Sequence, residues 1–225
     1  MIEKHFKKNS AVINTEQSDQ KIQKTLFKQN QKSFSFIMAI SLDENLAFAL
    51  SSIAGIAIQC ILVGFFAIGG KRGKMFSQEM LEEHFGEQHW HAFGEKVPKG
   101  GYPDMGCGRY AEKLSYKDWF NFNSAQRVHY NFLEQVASIM VLIFITALIY
   151  PVLAGYLGWA YFVGRLVFAI GYLRLGPRGR IIGITIIDLA MLGLFGASIT
   201  AIYKLFNTSQ DYFDGKATTA TFLEQ

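Results

Sequence analysis

Apolar residues in this sequence are gathered into long blocks and do not alternate with polar ones. Residues 46–68 form a run of 23 without a charge, and residues 135–164 form a run of 30. Residues 181–206 are apolar apart from Asp188 and Lys204. Because a helix needs about 20 apolar residues to cross the hydrocarbon core of a bilayer, these blocks predict membrane-spanning helices. The pattern indicates an integral, multi-pass membrane protein of the all-α class.

Pro151 divides the longest apolar block into two helices. Proline lacks the backbone N–H that a helix interior needs, so the sequence predicts a tight turn at Tyr150-Pro151. We therefore expect a four-helix bundle with both termini on the same side of the membrane. The predicted spans are 45–69, 123–149, 152–173 and 181–206, within a membrane domain of residues 45–206.

Three polar segments flank the predicted spans. They are an N-terminal extension (1–44), a long loop (70–122) and a C-terminal tail (207–225). The first 36 residues contain seven lysines and no arginine, and no apolar run follows them directly. They therefore predict neither a secretory signal nor a mitochondrial transit peptide. We expect the extension to be solvated or to contact a partner protein, and the loop to be functional or to pack as a cap.

The net charge is +4, and the positions of the basic residues matter more than this total, because two loops on one side of the predicted bundle hold clusters of them. The loop between the third and fourth spans holds Arg174, Arg178 and Arg180, and the long loop is basic at both ends. The positive-inside rule places such loops on the cytosolic or matrix side. The distribution of charge thus predicts how the chain is oriented in a lipid membrane. We predict no nucleic-acid partner.

The spacing of the histidines and cysteines indicates neither a metal site nor a disulfide. His84, His89 and His91 lie in the long loop, without a cysteine pair or a carboxylate at ligand spacing. Cys60 lies inside a span and Cys107 in a loop, which does not make a disulfide framework. We expect Cys60 to be a small apolar core residue.

The stretch RVHYNFLEQ, at positions 127–135, introduces charges where the second span enters the bilayer. Arg127, Asn131 and Glu134 have the i, i+4, i+7 spacing of one helix face, whereas His129 lies about 200° around the helix. A cation, an amide and an anion on one face suit a zwitterionic ligand with carboxylates and an ammonium. The alternative is a structural polar network, which is costly unless every group is paired.

The third span carries a second set of side chains on one face. Arg165, Phe168 and Tyr172 are spaced i, i+3, i+7. Arg165 is expected either to pair with Glu134 or Asp188 or to contact a ligand. Asp188 is expected to be a structural partner, and Tyr172 is either a site residue or an interfacial aromatic.

Two stretches resemble a known family. FNSAQRVHYNFLE is similar to a signature of the MAPEG family, the membrane-associated proteins of eicosanoid and glutathione metabolism, and most similar to its type 3 microsomal glutathione transferases. LGWAYFVGRLVFAIGYLRLGPRGR resembles the third span and following loop of that family. The resemblance implies a four-helix subunit assembled as a homotrimer, with glutathione bound between neighbouring subunits near the cytosolic face.

The resemblance also implies roles for single residues. His129 and Arg72 would reach glutathione held by the adjacent subunit. Arg180, with Arg178 as the alternative, would be catalytic, because a nearby guanidinium favours the thiolate of glutathione. The candidate glutathione-binding residues are Arg72, Arg127, His129, Asn131, Glu134, Arg165 and Tyr172.

Two functions are predicted. The first is a membrane-bound glutathione transferase or peroxidase that conjugates or reduces lipophilic substrates, with glutathione as co-substrate, in an endoplasmic-reticulum-type membrane. The second is a non-catalytic structural subunit of a larger membrane assembly, such as a mitochondrial respiratory-type complex, whose other subunits contact the N-terminal extension. The complete polar set in the second span favours the enzyme, and the added extension favours the structural subunit.

Overall fold

The computed structural model describes residues 44–213, with side chains for residues 44–207. Every regular element in that part of the chain is helical. The predicted extension before Glu44 and the tail after residue 213 lie outside the described residues. The α-helices are α1 (Glu44–Val63), α2 (Gly70–Met75), α3 (Gln78–Phe93), α4 (Tyr116–Ala147), α5 (Pro151–Leu175) and α6 (Ile181–Phe213). A π-helical segment, Gly64–Gly69, joins α1 to α2.

Three helical segments of the described chain are long and apolar enough to cross a membrane. They are Glu44–Met75, Tyr116–Ala147 and Pro151–Asn207. The third has 57 residues, which would extend about 86 Å as one straight helix, far more than the ~30 Å hydrocarbon core. A short 3-10 turn, Gly176–Arg180, instead divides it into α5 and α6.

The helices α5 and α6 pack as an antiparallel hairpin. Gly164 faces Ile187, and Phe168 faces Gly183, so residue numbers rise along one helix as they fall along the other. At the far end of the hairpin, the Lys204 ammonium lies 5.0 Å from the centroid of the Tyr150 ring. Each predicted span thus corresponds to a helix, and the crossing of the bilayer by all four stays a prediction.

The helix α4 begins at Tyr116, well before the predicted start at residue 123. Ser115 caps it, because its Oγ accepts a hydrogen bond from the backbone N–H of Asp118 (3.2 Å) and donates to Asp118 Oδ2 (2.8 Å). The prediction counted apolar residues and so omitted these polar first turns. At 32 residues, α4 is about 48 Å long, so its first turns extend beyond a bilayer core. The helix α6 likewise continues past residue 206 to Phe213.

The long helices share one apolar core. Its fully buried side chains come from all four of them, and include Ile56, Phe132, Ile139, Tyr161 and Leu194. A direct polar contact also ties α1 to α5, where Gln59 Nε2 donates to the backbone oxygen of Phe162 at 3.0 Å. These contacts fix the rotation of α4 and α5, and therefore which of their polar side chains meet.

The long loop packs as a cap with its own small core. Besides α2 and α3 it contains two 3-10 turns, Lys99–Gly101 and Ala111–Lys113. The buried apolar residues of the cap are Phe76, Leu81, Val97, Ala111 and Phe122, the last of which belongs to α4. The cap is therefore joined to the polar end of α4.

Asp104 organises the central turn of the cap. Its carboxylate accepts hydrogen bonds from the backbone N–H groups of Gly106 (2.7 Å), Gly108 (3.0 Å) and Ala111 (2.8 Å). Burial alone would raise the pKa of Asp104, but these N–H groups and that of Tyr110 stabilise the charged form, so its pKa lies below the ordinary value. The charged carboxylate is the form that holds the turn.

We expect Asp104→Asn to loosen the cap. Because the folded pKa is depressed, the carboxylate contributes fully above about pH 4 and loses its contribution as the pH falls through the lowered pKa. Loss of these charge-assisted bonds should cost about 2 kcal/mol. Limited proteolysis between residues 94 and 115 measures it: the parent should lose protection in acid, and Asp104→Asn should already be cleaved readily at neutral pH. The exposed Glu95→Gln is the matched control, and equal protection of all three proteins would contradict the assignment.

Candidate functional site

Arg165 lies at the centre of the polar residues of α4 and α5. Only 1 % of it is exposed, and its guanidinium donates to Tyr161 Oη (2.8 Å), Asn131 Oδ1 (2.8 Å), the Asn131 backbone oxygen (3.2 Å) and Gln135 Oε1. The Phe132 ring centroid lies 4.7 Å from Arg165 Cζ. Arg165 therefore joins α4 to α5 at the level of Asn131.

The predicted ion pair of Arg165 with Glu134 or Asp188 is wrong. Within residues 44–207, no carboxylate oxygen lies within 4.0 Å of the Arg165 guanidinium. Glu134 and Asp188 are exposed, and neutral oxygens occupy the guanidinium instead. The reason is rotational, because Gln135 and Asn131 point at α5 from α4 whereas Glu134 points outward. Buried charge without an anion is costly, which makes the cluster unusual for a purely structural one.

The predicted polar face of α4 is open on the outside of the chain. Arg127 and Glu134 are exposed and Asn131 is half-buried. Glu134 directly precedes the uncharged block of residues 135–149. A charged side chain that faces lipid costs roughly 2.5–3.5 kcal/mol at a helix centre. Cover by a ligand or by another subunit would remove this cost.

His129 contacts a different helix from Asn131. Its ring packs against the π-helical segment after α1, where a Cβ added to Gly64 would lie 2.6 Å from His129 Cε1. The Nδ1 atom of His129 is buried and has no hydrogen-bond partner among the described residues. π-helical segments are rare and often occur at functional sites. The absence of a side chain at Gly64 lets the imidazole approach the backbone of this segment.

Tyr172 and the following turn form the basic end of the site. Tyr172 is buried, and its ring packs against Phe168 with centroids 5.7 Å apart. Arg180 Cζ lies 6.0 Å from the Tyr172 ring centroid, and Arg178 is exposed in the same turn. Phe168 in turn contacts Arg165, at 5.7 Å from its guanidinium carbon. The structure thus connects Asn131, Arg165, Tyr172 and Arg180 through a continuous series of contacts.

Arg72 is placed in the cap. It is 5 % exposed, and it donates to the backbone oxygens of Gly100 (3.0 Å) and Asp104 (2.8 Å). The Tyr102 ring lies over its guanidinium, at 4.2 Å from Cζ. Within one chain Arg72 therefore holds the cap against α2, and its predicted contact with glutathione in an adjacent subunit stays a prediction.

Metal ligands and disulfides are not found in the described residues. No group of three or more His, Cys, Asp and Glu side chains there is close enough to hold a metal ion. Cys60 is buried and Cys107 is exposed, and both are free thiols.

Comparison with protein families decides the assignment. The model of the MAPEG family matches residues 49–200, which include most of α1 and α6 and the whole of α4, α5 and the cap. The chain belongs to the MAPEG family. No solved structure matches it. The match confirms the predicted family and the all-helical membrane fold, and identifies a multi-pass membrane protein of eicosanoid or glutathione metabolism. It does not separate the branches of the MAPEG family, so the likeness to type 3 microsomal glutathione transferases stays a prediction.

The turn after α5 packs so closely against α5 that two glycine positions of this MAPEG protein have no room for a side chain. A Cβ at Gly179 would overlap the backbone oxygen of Gly171, and a Cβ at Gly171 would overlap that of Gly179. Neither position can carry an arginine without separating α5 from the turn. Arg178 and Arg180, on either side of Gly179, remain the available cations.

Sequence reasoning missed two residues of the polar cluster. Gln135 and Tyr161 both bond to Arg165, yet neither was predicted. A signal existed for each, because Gln135 is at i+4 from Asn131 and Tyr161 is at i−4 from Arg165, the spacing of neighbours on a helix face. Both had been counted as part of an uncharged apolar block.

Proposed function

We propose that this MAPEG protein is a membrane-bound glutathione transferase or peroxidase for lipophilic substrates. The open polar face of α4 carries the proposal, because Arg127, Asn131 and Glu134 project from a membrane helix with Arg165 behind Asn131. A helix face that only meets lipid has no use for such a set. Glutathione has two carboxylates and one ammonium. These match the cation, the amide and the anion on this face of α4.

The chemistry requires few groups. Glu134 binds the glutathione ammonium, and Arg127 and Asn131 bind carboxylates. Arg180, or Arg178 beside it, stabilises the thiolate, because a nearby positive charge favours the ionised thiol. In conjugation, the proton of the thiol leaves to water and the thiolate attacks an electrophilic carbon to form a carbon–sulfur bond. Either the bond to a leaving group breaks and the group departs with the electron pair, or a carbon–carbon π bond breaks and its electron pair takes up a proton from water. In the peroxidase reaction, two glutathione molecules form a disulfide while a lipid hydroperoxide becomes an alcohol and water.

An apolar groove on the surface of the membrane helices suits a substrate that arrives from the bilayer. It has a volume of about 470 Å³ and runs between α1 and α5, with Leu62, Phe66, Trp159 and Leu173 among its lining residues. Leu173 directly follows Tyr172. A lipophilic molecule in the groove would therefore end near the basic turn that binds the thiolate.

The exposed charges support assembly with further copies of the chain. Arg127, Glu134 and Asp188 are all exposed on the single chain, and all belong to membrane helices. Their exposure to lipid would be costly. In a homotrimer, neighbouring subunits cover them, and His129 and Arg72 reach the glutathione of the adjacent subunit.

A second function is favoured by the surface of the cap. Trp90, Phe93, Tyr102 and Tyr116 are large side chains that are each more than half exposed. Aromatic residues are enriched at protein interfaces, so this surface supports a structural subunit of a larger membrane assembly, such as a mitochondrial respiratory-type complex. In that case the polar cluster would be a remnant of the fold.

Purification in mild detergent tests the proposal against this second function. The enzyme should purify as a particle with the mass of three subunits that binds glutathione, with affinity reduced by Glu134→Gln. Co-purification with many different chains, together with no glutathione binding, would support the structural subunit instead. The membrane fraction that holds the protein separates the endoplasmic-reticulum and mitochondrial locations.

A further inference from the structure

Arg165 determines the direction in which two amide side chains of α4 point. A guanidinium has five N–H donors and no acceptor, so an amide can face it only with its oxygen. Arg165 Nη1 donates to Asn131 Oδ1 at 2.8 Å, and Nη2 donates to Gln135 Oε1. Each amide therefore turns its oxygen toward Arg165 and its NH₂ group away from it.

Arg165 itself is held too firmly to act as a direct ligand contact. It is 1 % exposed, its Nε donates to Tyr161 Oη at 2.8 Å, and the Phe132 and Phe168 rings enclose its guanidinium. Any influence on a bound molecule has to pass through Asn131 and Gln135.

The two amides leave a surface that only donates hydrogen bonds. Asn131 and Gln135 are half-buried and one helical turn apart, about 6 Å. Within residues 44–207, no acceptor bonds Asn131 Nδ2 or Gln135 Nε2. No carboxylate in that range lies within 4.0 Å of the Arg165 guanidinium, and Asp188 acts on it only electrostatically from farther away. The charge of Arg165 therefore also favours an anion beyond the amides.

We propose that Arg165 is a positioning residue that fixes Asn131 and Gln135 as a pair of N–H donors to one carboxylate of glutathione. The inference rests on the proposed function and adds a subsite to it. Two neutral amides, aligned by a buried cation, select an acceptor group at this point. Glu134, beside Gln135 on the open face, is left for the ammonium.

Asn131→Asp is the decisive variant. The substitution keeps the shape of the side chain and gives Arg165 a counter-charge, so the fold should be retained. It replaces the donating NH₂ group by an oxygen that repels a carboxylate. The Kd for glutathione should rise about 10- to 100-fold, the effect of losing a charge-assisted contact. Gln135→Glu should act in the same direction.

Glutathione analogues distinguish a subsite from a general disturbance of the site. In each analogue, one of the two carboxylates is replaced by a primary amide. For the analogue altered at the carboxylate in this subsite, the penalty of Asn131→Asp should largely disappear, whereas for the other it should persist. Arg165→Gln, which can donate as well as accept and so lets Asn131 turn over, should give the same pattern.

Each outcome is decisive for the inference. Equal penalties for glutathione and both analogues, or unchanged glutathione binding by Asn131→Asp, would overturn the subsite while leaving the proposed function intact. A parent protein that binds no glutathione would overturn both. Unfolding temperature and oligomer mass confirm that each variant is folded; if Arg165→Gln does not fold, Asn131→Asp decides alone.

Discussion

Arg180→Ala is expected to slow glutathione conjugation and to raise the pKa of the bound glutathione thiol, whereas Glu134→Gln should chiefly weaken glutathione binding. Arg180 lies at the buried Tyr172 ring, where its charge favours the thiolate. Glu134 is an anion on the open face of α4, where it matches the ammonium. Loss of one such contact costs roughly 1.5–3 kcal/mol, a factor of about 10 to 100.

Thiolate absorbance as a function of pH, together with conjugation rates, separates the two effects. Arg178→Ala is measured alongside, because Arg178 lies in the same turn. Glu83→Gln, which alters an exposed carboxylate of the cap helix α3 in the same way, is the control for Glu134→Gln and should change neither quantity. If neither arginine affects the thiol pKa, the basic turn does not activate glutathione.

Gly183→Ala is expected to destabilise the hairpin of α5 and α6 by about 2–3 kcal/mol or more. A Cβ at this position would overlap the backbone nitrogen and Cα of Phe168. Backbone atoms cannot rotate away, so α6 must move off α5 beside Arg165 and Tyr172. Thermal unfolding in detergent measures the loss, and glutathione binding should fall with it.

Gly196→Ala provides the matched control in the same helix. Nothing lies within 4 Å of a Cβ added there, and alanine favours a helix over glycine by about 1 kcal/mol. Gly196→Ala should therefore unfold at the same temperature as the parent or at a slightly higher one. Equal unfolding temperatures for Gly183→Ala and Gly196→Ala would contradict the close packing of α5 and α6.

The four long helices could be predicted because the bilayer imposes a length on apolar blocks. Pro151 could be placed at the division between two helices because it lacks an N–H, and α5 begins at Pro151, one residue before the predicted start at 152. The start of α4 could not be found by the same count, since residues 116–122 include charged and polar side chains and belong to no uncharged apolar block. The Ser115 and Asp118 pair was the available signal for it.

The composition of the polar cluster was only partly predictable. Helical spacing places Asn131 and Arg165 on inward faces, but the partner of Arg165 depends on the rotation and axial shift of α5 against α4. Those are set by packing of side chains such as Phe132 and Tyr161, which periodicity does not specify. That Arg165 bonds to Gln135 and not to Glu134 therefore becomes visible only in the structure.

The cap was the least predictable part. Its sequence has no sustained periodicity, and its order depends on single tertiary contacts such as Arg72 with the backbone of Gly100 and Asp104. Gly100 has a φ of 76°, a conformation that favours glycine. Turn-forming residues were visible in the sequence, but nothing in it showed that the Arg72 guanidinium bonds to their backbone oxygens.

The most direct test of the central claim is the ultraviolet difference spectrum obtained when glutathione is added to the purified protein near neutral pH. We expect a saturable thiolate absorbance. It should be absent with S-methyl glutathione, whose sulfur cannot ionise, and lost when Arg178 and Arg180 are both replaced by alanine. If the parent protein shows neither glutathione binding nor thiolate formation, the enzyme function is contradicted and the structural-subunit function takes its place.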